Sequence, residues 1–439
     1  MSAVQASAVP ILAPYRLPRQ RTARRAPVGI TAGAFLLSAQ FPGQSHAEAL
    51  ERTVSATIAA EQAGLDSVWL AEHHFVPYGV CPDAATLAGL LLGRTRRIRV
   101  GTAVSVLPTH HPVRLGEQAA LLHLTSGGRF TLGVGRGGPW IDLAVFGGGA
   151  EAYETGFPES LDLLLRWLRS SRVGASGPHY SFPEVPVVPR ATEQPLTPIQ
   201  PLHPTTSPRQ RPTVGQHVGQ HAGQHTGQHA GHAYADAFPD AHTDAYAEAP
   251  ATMAALAAPR AVGGPPVVVA CTSLGSVRLA AQRGLPMLLG MHSGDEDKAE
   301  MLAAYRNAAL EAGRSPDQVA RVEAEHVAAG VAQVGDSTAE ARAQLMRSMP
   351  GFFQYGLGAH RTVDGRERRM RDPEQYTELL CDLHAVGTPQ LCADRLLATH
   401  ERTGIRRFAL LVEGSGDRAE TIGNIARLGA EVLPQLPQD

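Results

Sequence analysis

Cysteine is scarce in this chain. Its 439 residues include only Cys81, Cys271, Cys381 and Cys392, too few for a disulfide framework and without metal-ligand spacing, so a stapled scaffold is excluded and a reducing cytoplasm is the expected location. Net charge is nearly absent as well. A formal −2 at pH 7 gives no field strong enough to draw nucleic acid or an anionic membrane as partner. No apolar run reaches the roughly 18 residues that a membrane span requires. Asp and Glu are missing from the first 47 residues, which carry Arg16, Arg19, Arg21, Arg24 and Arg25. That composition suits a disordered extension or an organelle transit peptide, but no apolar core of a secretory signal follows the arginines before Val28. Residues 1–27 are set outside the fold.

What is present reads as α/β. With 43% hydrophobic residues the core is large, and the length allows two ordinary domains or one barrel, which commonly takes about 250 residues or more. The order of elements decides between them. Strand-like runs fall at 30–38, 67–71, 99–106, 130–135, 266–270, 286–289, 325–334 and 407–412, with helical patterns between most of them. Ser45-His46-Ala47-Glu48 is a capping box, Pro82-Asp83 and Pro112 open further helices, and Gly64 closes the first. Helical spacing returns at 153–168, 295–312, 339–346, 391–400 and 422–433, and 180–182 with 185–188 resembles a short hairpin. Eight strand–helix cycles predict a (β/α)8 TIM barrel over 28–437.

Two segments depart from this rhythm. Residues 191–262 are rich in Pro, His, Gln, Gly and Ala and contain the repeat Gly215-Gln216-His217, Gly219-Gln220-His221, Gly223-Gln224-His225, Gly227-Gln228-His229. Histidines four apart would share a helix face and could hold zinc or nickel, but a glycine in every turn opposes the helix. The segment is expected to be a disordered, dispensable insertion before the fifth strand, and no metal site is assigned. The stretch 350–376 has several glycines, the basic residues Arg366, Arg368, Arg369 and Arg371, and no clear period. A long loop of that kind is either a functional lid or disorder, and a lid is the reading carried forward.

Chemistry-bearing residues gather at the C-terminal ends of the second, third and fourth strands, where parallel barrels place their active sites. Glu72-His73-His74-Phe75 follows the second, Ser105 to His111 the third, and Arg136-Gly137-Gly138 the fourth. Gly133-Val134-Gly135-Arg136-Gly137-Gly138 matches the dinucleotide fingerprint G-x-G-x-x-G, but Pro139-Trp140 follows instead of a helix, and no strand ending in an acid comes about 20 residues on. A dinucleotide site is excluded. Glycines that let a planar ligand approach, with Arg136 as a fork for its phosphate, fit better.

Ala71-Glu72-His73-His74-Phe75, Gly101-Thr102-Ala103-Val104, Leu107 to Arg114, Ser126 to Gly137 and Val145-Phe146-Gly147, with Gly284 to Met287, Gly387-Thr388-Pro389-Gln390 and Val432-Leu433-Pro434, together resemble the bacterial luciferase-like monooxygenases, the catalytic alpha subunits above all. The resemblance implies a barrel that binds reduced FMN and uses molecular oxygen. It makes His73 the catalytic histidine, oriented by Glu72 and His74. It puts the flavin ring on the backbone of Ala103 and Val104 with Gly138 giving it room, the phosphate on Arg136, Ser273 and Ser276, and the acid Asp142 near the flavin. Thr272 stands where those proteins have a glutamate, and Gly135 where they have a cysteine beside the flavin, so light emission is not implied.

The implied partners are a separate flavin reductase, a small organic substrate (aldehyde, ketone or secondary metabolite) with O2, and a second subunit in a homo- or heterodimer. Three alternatives stay open on the sequence: a deazaflavin-dependent oxidoreductase on the same barrel, a non-catalytic partner subunit, and a histidine-rich metal carrier.

Overall fold

The computed structural model describes residues 29–196, 263–365 and 371–438. The N-terminal extension and residues 197–262 of the insertion, with its histidine repeat, lie outside the described residues. Eight parallel strands form a closed (β/α)8 barrel: β1 (Thr31–Leu36), β2 (Ser67–Leu70), β3 (Arg99–Thr102), β4 (Phe130–Gly135), β5 (Val267–Cys271), β6 (Met287–Leu289), β7 (Val327–Val334) and β8 (Arg407–Leu411). The expected fold is the observed one. β2, β4 and β7 are buried along their whole length, which explains why they read as apolar runs without alternation.

The chain forms two compact units. Among the described residues, the first takes in 29–82, 268–361 and 371–438. Within it β1 pairs in parallel with β2 and β8, and β7 with β6 and β8. The helix His46–Gln62 starts at the expected capping box: Glu48 N donates to Ser45 Oγ (3.2 Å) and Ser45 N to Glu48 Oε2 (2.7 Å). Beyond β8, the buried Glu413 accepts from Leu37 N (2.6 Å), Ala39 N (3.4 Å) and Arg52 Nε (3.4 Å), and Arg52 also donates to Ala39 O. Burial raises the Glu413 pKa while Arg52 and the two amides oppose that rise, and the cluster ties the ends of β1 and β8 together.

The second unit, described residues 83–196, 263–267 and 362–365, carries β3, β4 and a hairpin. Asp83 caps the helix Ala84–Arg94 and His111 precedes Pro112 at the start of Pro112–Thr125, both as expected. The third strand is not continuous. It breaks at Ala103–Val104, whose peptide is cis, and resumes as Ser105–Val106 beside Val134 and Gly135. The hairpin pairs Arg172–Ser176 with Ser181–Pro186, so 180–188 is not a hairpin by itself; its partner strand precedes the turn.

Three further expectations need correction. Residues 350–376 are not one loop, because Thr338–Gly358 is a single helix that contains Pro350, and Pro373–Leu383 is another. Burial of Met349, Phe352 and Phe353 outweighs the local cost of the proline and glycines. Of the basic residues there, Arg366, Arg368 and Arg369 lie outside the described residues. The start of the insertion belongs to the fold: Ala191 is buried against Gly264, and Leu196 N donates to Leu124 O (2.9 Å). Helix Pro316–Glu323 and strand Ala385–Gly387 were not expected; both are too short to show a period. No helix among the described residues is long and apolar enough to cross a membrane.

Two buried histidines make the first unit sensitive to acid. His326 Nδ1 accepts from Met287 N (2.9 Å), and its pKa falls from 6.5 to about 3, chiefly by burial; that of His384 falls to about 4 for the same reason. Folded pKa values below the unfolded ones mean that stability is fully present above pH 6.5 and is lost as pH drops from there toward those lower values. We expect Tm to fall between about pH 7.5 and about pH 5, with a stability slope approaching about 1.4 kcal/mol per pH unit for each histidine. The slope should be shallower in His384→Asn. A level Tm across that range would contradict the neutral, buried state of these rings.

Candidate active site

In the first unit the site is built on the loop that follows β2. His73 N donates to Cys81 O (3.0 Å), Val80 N to Ser38 O (3.0 Å) and Gln40 N to Pro77 O (3.0 Å), so the loop is held against the one after β1. The His73 imidazole meets the Tyr78 ring edge-on, 5.0 Å between centroids at 86°. Its Nδ1 is enclosed and has no hydrogen-bond partner among the described residues, while part of the residue stays accessible. Burial and, second, the neighbouring His360 lower its pKa from 6.5 to about 3, with Glu72 acting in the opposite direction. His73 is therefore neutral at any physiological pH.

Glu72 is buried and lies 3.5 Å from His74 Nε2. It is therefore coupled directly to the second histidine of the motif. What packs on His73 comes from residues the sequence reading passed over. Tyr78 and Gly79 continue the same loop and could have been picked out there; His360 sits in a stretch with no period and could not.

The second unit carries the groups expected at the ends of β3 and β4. Thr102 Oγ1 donates to Gly133 O (2.7 Å) and accepts from Gly133 N (2.9 Å), locking the two strands just before Ala103 and Val104, which are partly accessible. Arg136 is exposed, and its guanidinium carbon stands 4.1 Å from the centroid of the Tyr153 ring. Cation–π contact of that kind limits where the fork can point. Gly137 has φ +69°, and a Cβ there would lie 2.7 Å from Val106 Cγ1. A Cβ at Gly138 would lie 2.3 Å from the Trp140 indole nitrogen. Trp140 in turn forms an antiparallel bridge with Thr362, and Val363 N donates to Pro139 O (2.8 Å). Asp142 is buried at the start of the short helix Asp142–Val145 and accepts from Leu143 N (2.8 Å).

Back in the first unit, Ser273 caps the ten-residue helix Leu274–Arg283. Ser276 N donates to Ser273 Oγ (3.4 Å), and both Ser273 N (3.2 Å) and Thr272 N (3.3 Å) donate to Ser276 Oγ. Thr272 and Ser273 are exposed. The helix start is thus capped by its own hydroxyls, and the exposed Ser273 side chain lies beside it. A separate cavity of about 770 Å³ is lined by His292, Asp297, Arg371, Gln375, Tyr376 and Leu379, among others. None of the expected site residues lines it. Among the described residues no cluster of His, Cys, Asp or Glu could hold a metal ion.

The family model for luciferase-like monooxygenases matches residues 30–218 and 211–407. The chain belongs to the luciferase-like monooxygenase family. Among relatives in this family, the alkanal monooxygenase alpha chain of the Kryptophanaron alfredi symbiont is 25% identical over 423 residues, covering 92% of this chain and 98% of that one. Three solved structures share the luciferase-like barrel. The monooxygenase RslO1 of Streptomyces bottropensis superposes with a TM-score of 0.66 at 19% identity, over 92% of this chain and 99% of that one. The oxygenating constituent of 3,6-diketocamphane monooxygenase from Pseudomonas putida, a complex with FMN, gives 0.63 at 18%, over 93% and 98%. An F420-dependent secondary alcohol dehydrogenase gives 0.57 at 14%, over 92% and 99%. Of these structural neighbours, one is a complex with FMN and another is F420-dependent.

If the Arg136 fork of this luciferase-like chain takes the phosphate of FMN, Arg136→Ala should weaken FMN far more than riboflavin. A charge-assisted contact of about 1.5 to 3 kcal/mol corresponds to roughly 10- to 150-fold in Kd. Titration of both ligands measures it, and equal weakening would place Arg136 outside the phosphate site.

Proposed function

We propose that this chain is a flavin-dependent monooxygenase that uses reduced FMN and O2 to place one oxygen atom on a small organic substrate, an aldehyde, ketone or secondary metabolite. The other atom leaves as water and the flavin ends oxidised. The observation that carries the reading is His73, a neutral imidazole in a Glu-His-His-Phe sequence just beyond β2, in a member of this family.

The residues present fit FMN. Arg136 offers a guanidinium and Ser273 and Ser276 offer hydroxyls suited to a phosphate, and Asp142 stands close in sequence to Arg136. Ala103 and Val104 are partly accessible for a ring to rest on, and the space beside Gly138 is taken by Trp140. When bound, reduced FMN would supply the electrons that activate oxygen. His73 would exchange a proton at Nε2, because Nδ1 is enclosed against the protein. Glu72 would act through His74 as a positioning pair. A separate flavin reductase would deliver the cofactor, and a second subunit would complete a homo- or heterodimer in the cytoplasm.

An F420-dependent hydride transfer is the second reading, favoured by the F420-dependent neighbour. To separate the two, the purified protein is supplied with a flavin reductase, FMN and a panel of aldehydes, ketones and aromatic substrates under ¹⁸O2. Oxygen uptake with one labelled atom in the product supports oxygenation. His73→Gln should then lower turnover by about 100-fold while FMN affinity stays within a few-fold. Reduction of F420 by a substrate without oxygen uptake would replace the proposal with the second reading.

A further inference from the structure

We infer that Tyr78 is the positioning residue of His73, and that the C-terminal turns of the helix Thr338–Gly358 hold Tyr78 in place. The inference rests on the proposed role of His73, since orientation matters only where that ring does chemistry. Two contacts close around the imidazole. Its flank meets the Tyr78 ring edge-on at 5.0 Å. Its Nδ1 faces Gly79, where a Cβ would lie 2.5 Å from the ring nitrogen and 2.5 Å from Leu37 O. No hydrogen bond fixes Nδ1, so on that side the ring depends on packing for its orientation.

Tyr78 is itself braced from a distant part of the chain. Phe352 stacks on it at 5.3 Å and 15°, and His360 meets it at 5.9 Å and 62°. Phe352 is backed by Phe41, stacked at 4.7 Å, and Phe41 carries the Arg52 guanidinium at 5.3 Å. At Gly356 the helix comes so close that a Cβ would lie 2.9 Å from Tyr78 Cα and 3.1 Å from its amide nitrogen. Such an approach serves no helical purpose, because glycine weakens a helix interior relative to alanine. It lets the helix press directly on the Tyr78 backbone. The Glu-His-His-Phe run therefore fixes the identity of the reactive ring, while Tyr78 and Gly356 fix its direction.

A small misplacement of a reacting group can cost about 100-fold in rate. Tyr78→Phe keeps the ring and should leave kcat within about 2-fold, whereas Tyr78→Leu and Gly356→Ala should each lower kcat at least about 10-fold with the FMN Kd within about 2-fold. Gly356→Ala is the decisive variant: it favours the helix, so it should fold, and it retains the tyrosine ring while forcing it away. Its His73 Cε1–H signal should shift from the wild-type position in spectra of histidine-labelled protein without flavin. An unshifted signal with wild-type kcat would overturn the inference, as would Tyr78→Phe behaving like Tyr78→Leu. If the wild-type protein shows no turnover with reduced flavin, the oxygenation proposal fails, and the His73 signal in Gly356→Ala still decides the positioning: displaced supports it, unmoved refutes it.

Discussion

The close approach of the chain to itself at Gly79 is the constraint on which the histidine loop of the first unit depends. With Leu37 O on one side and His73 Nδ1 on the other, there is space for a hydrogen atom and nothing larger. The imidazole is enclosed without being paired, and an enclosed imidazole avoids charge because protonation would have to be solvated by groups that are not there. Neutrality at His73 thus follows from packing. With Nδ1 enclosed, any proton that the ring exchanges passes through Nε2, which donates or accepts according to the tautomer.

That packing is anchored outside the motif. Glu413 and Arg52 hold the turn after β1 by its amides and carbonyls, and that turn receives the backbone of the loop carrying His73. In the second unit the same principle recurs with other chemistry. Thr102 bridges to Gly133 in both directions, and Tyr153 limits the arginine beyond β4. Strand ends present the reactive residues, and neighbours with no chemistry of their own decide how they point.

The barrel was legible because most of its strands are apolar runs and its first helix begins at the capping box at Ser45. His73 and Arg136 stood out as candidates because they stand in short motifs at strand ends. What escaped depends on contacts between residues far apart in sequence. The helix through Pro350 carries glycine and proline that argue for a loop, and only the burial of Phe352 and Phe353 reverses that preference. Thr362 bridges Trp140, and His360 packs on Tyr78, yet nothing in the local pattern of 359–365 announces either contact. The break of the third strand at Ala103–Val104 is likewise invisible, since the run from Arg99 to Val106 has the composition of an unbroken strand.

The titration of His73 tests the central claim most directly. In protein labelled at histidine, the signals of His73 are identified by their loss in His73→Gln and followed from about pH 8 to about pH 5. We expect a neutral ring throughout, because its pKa is lowered from 6.5 to about 3. A ring that takes up a proton near pH 6.5 would mean that His73 is open to water, and both its packing against Gly79 and its proposed part in proton transfer would be contradicted.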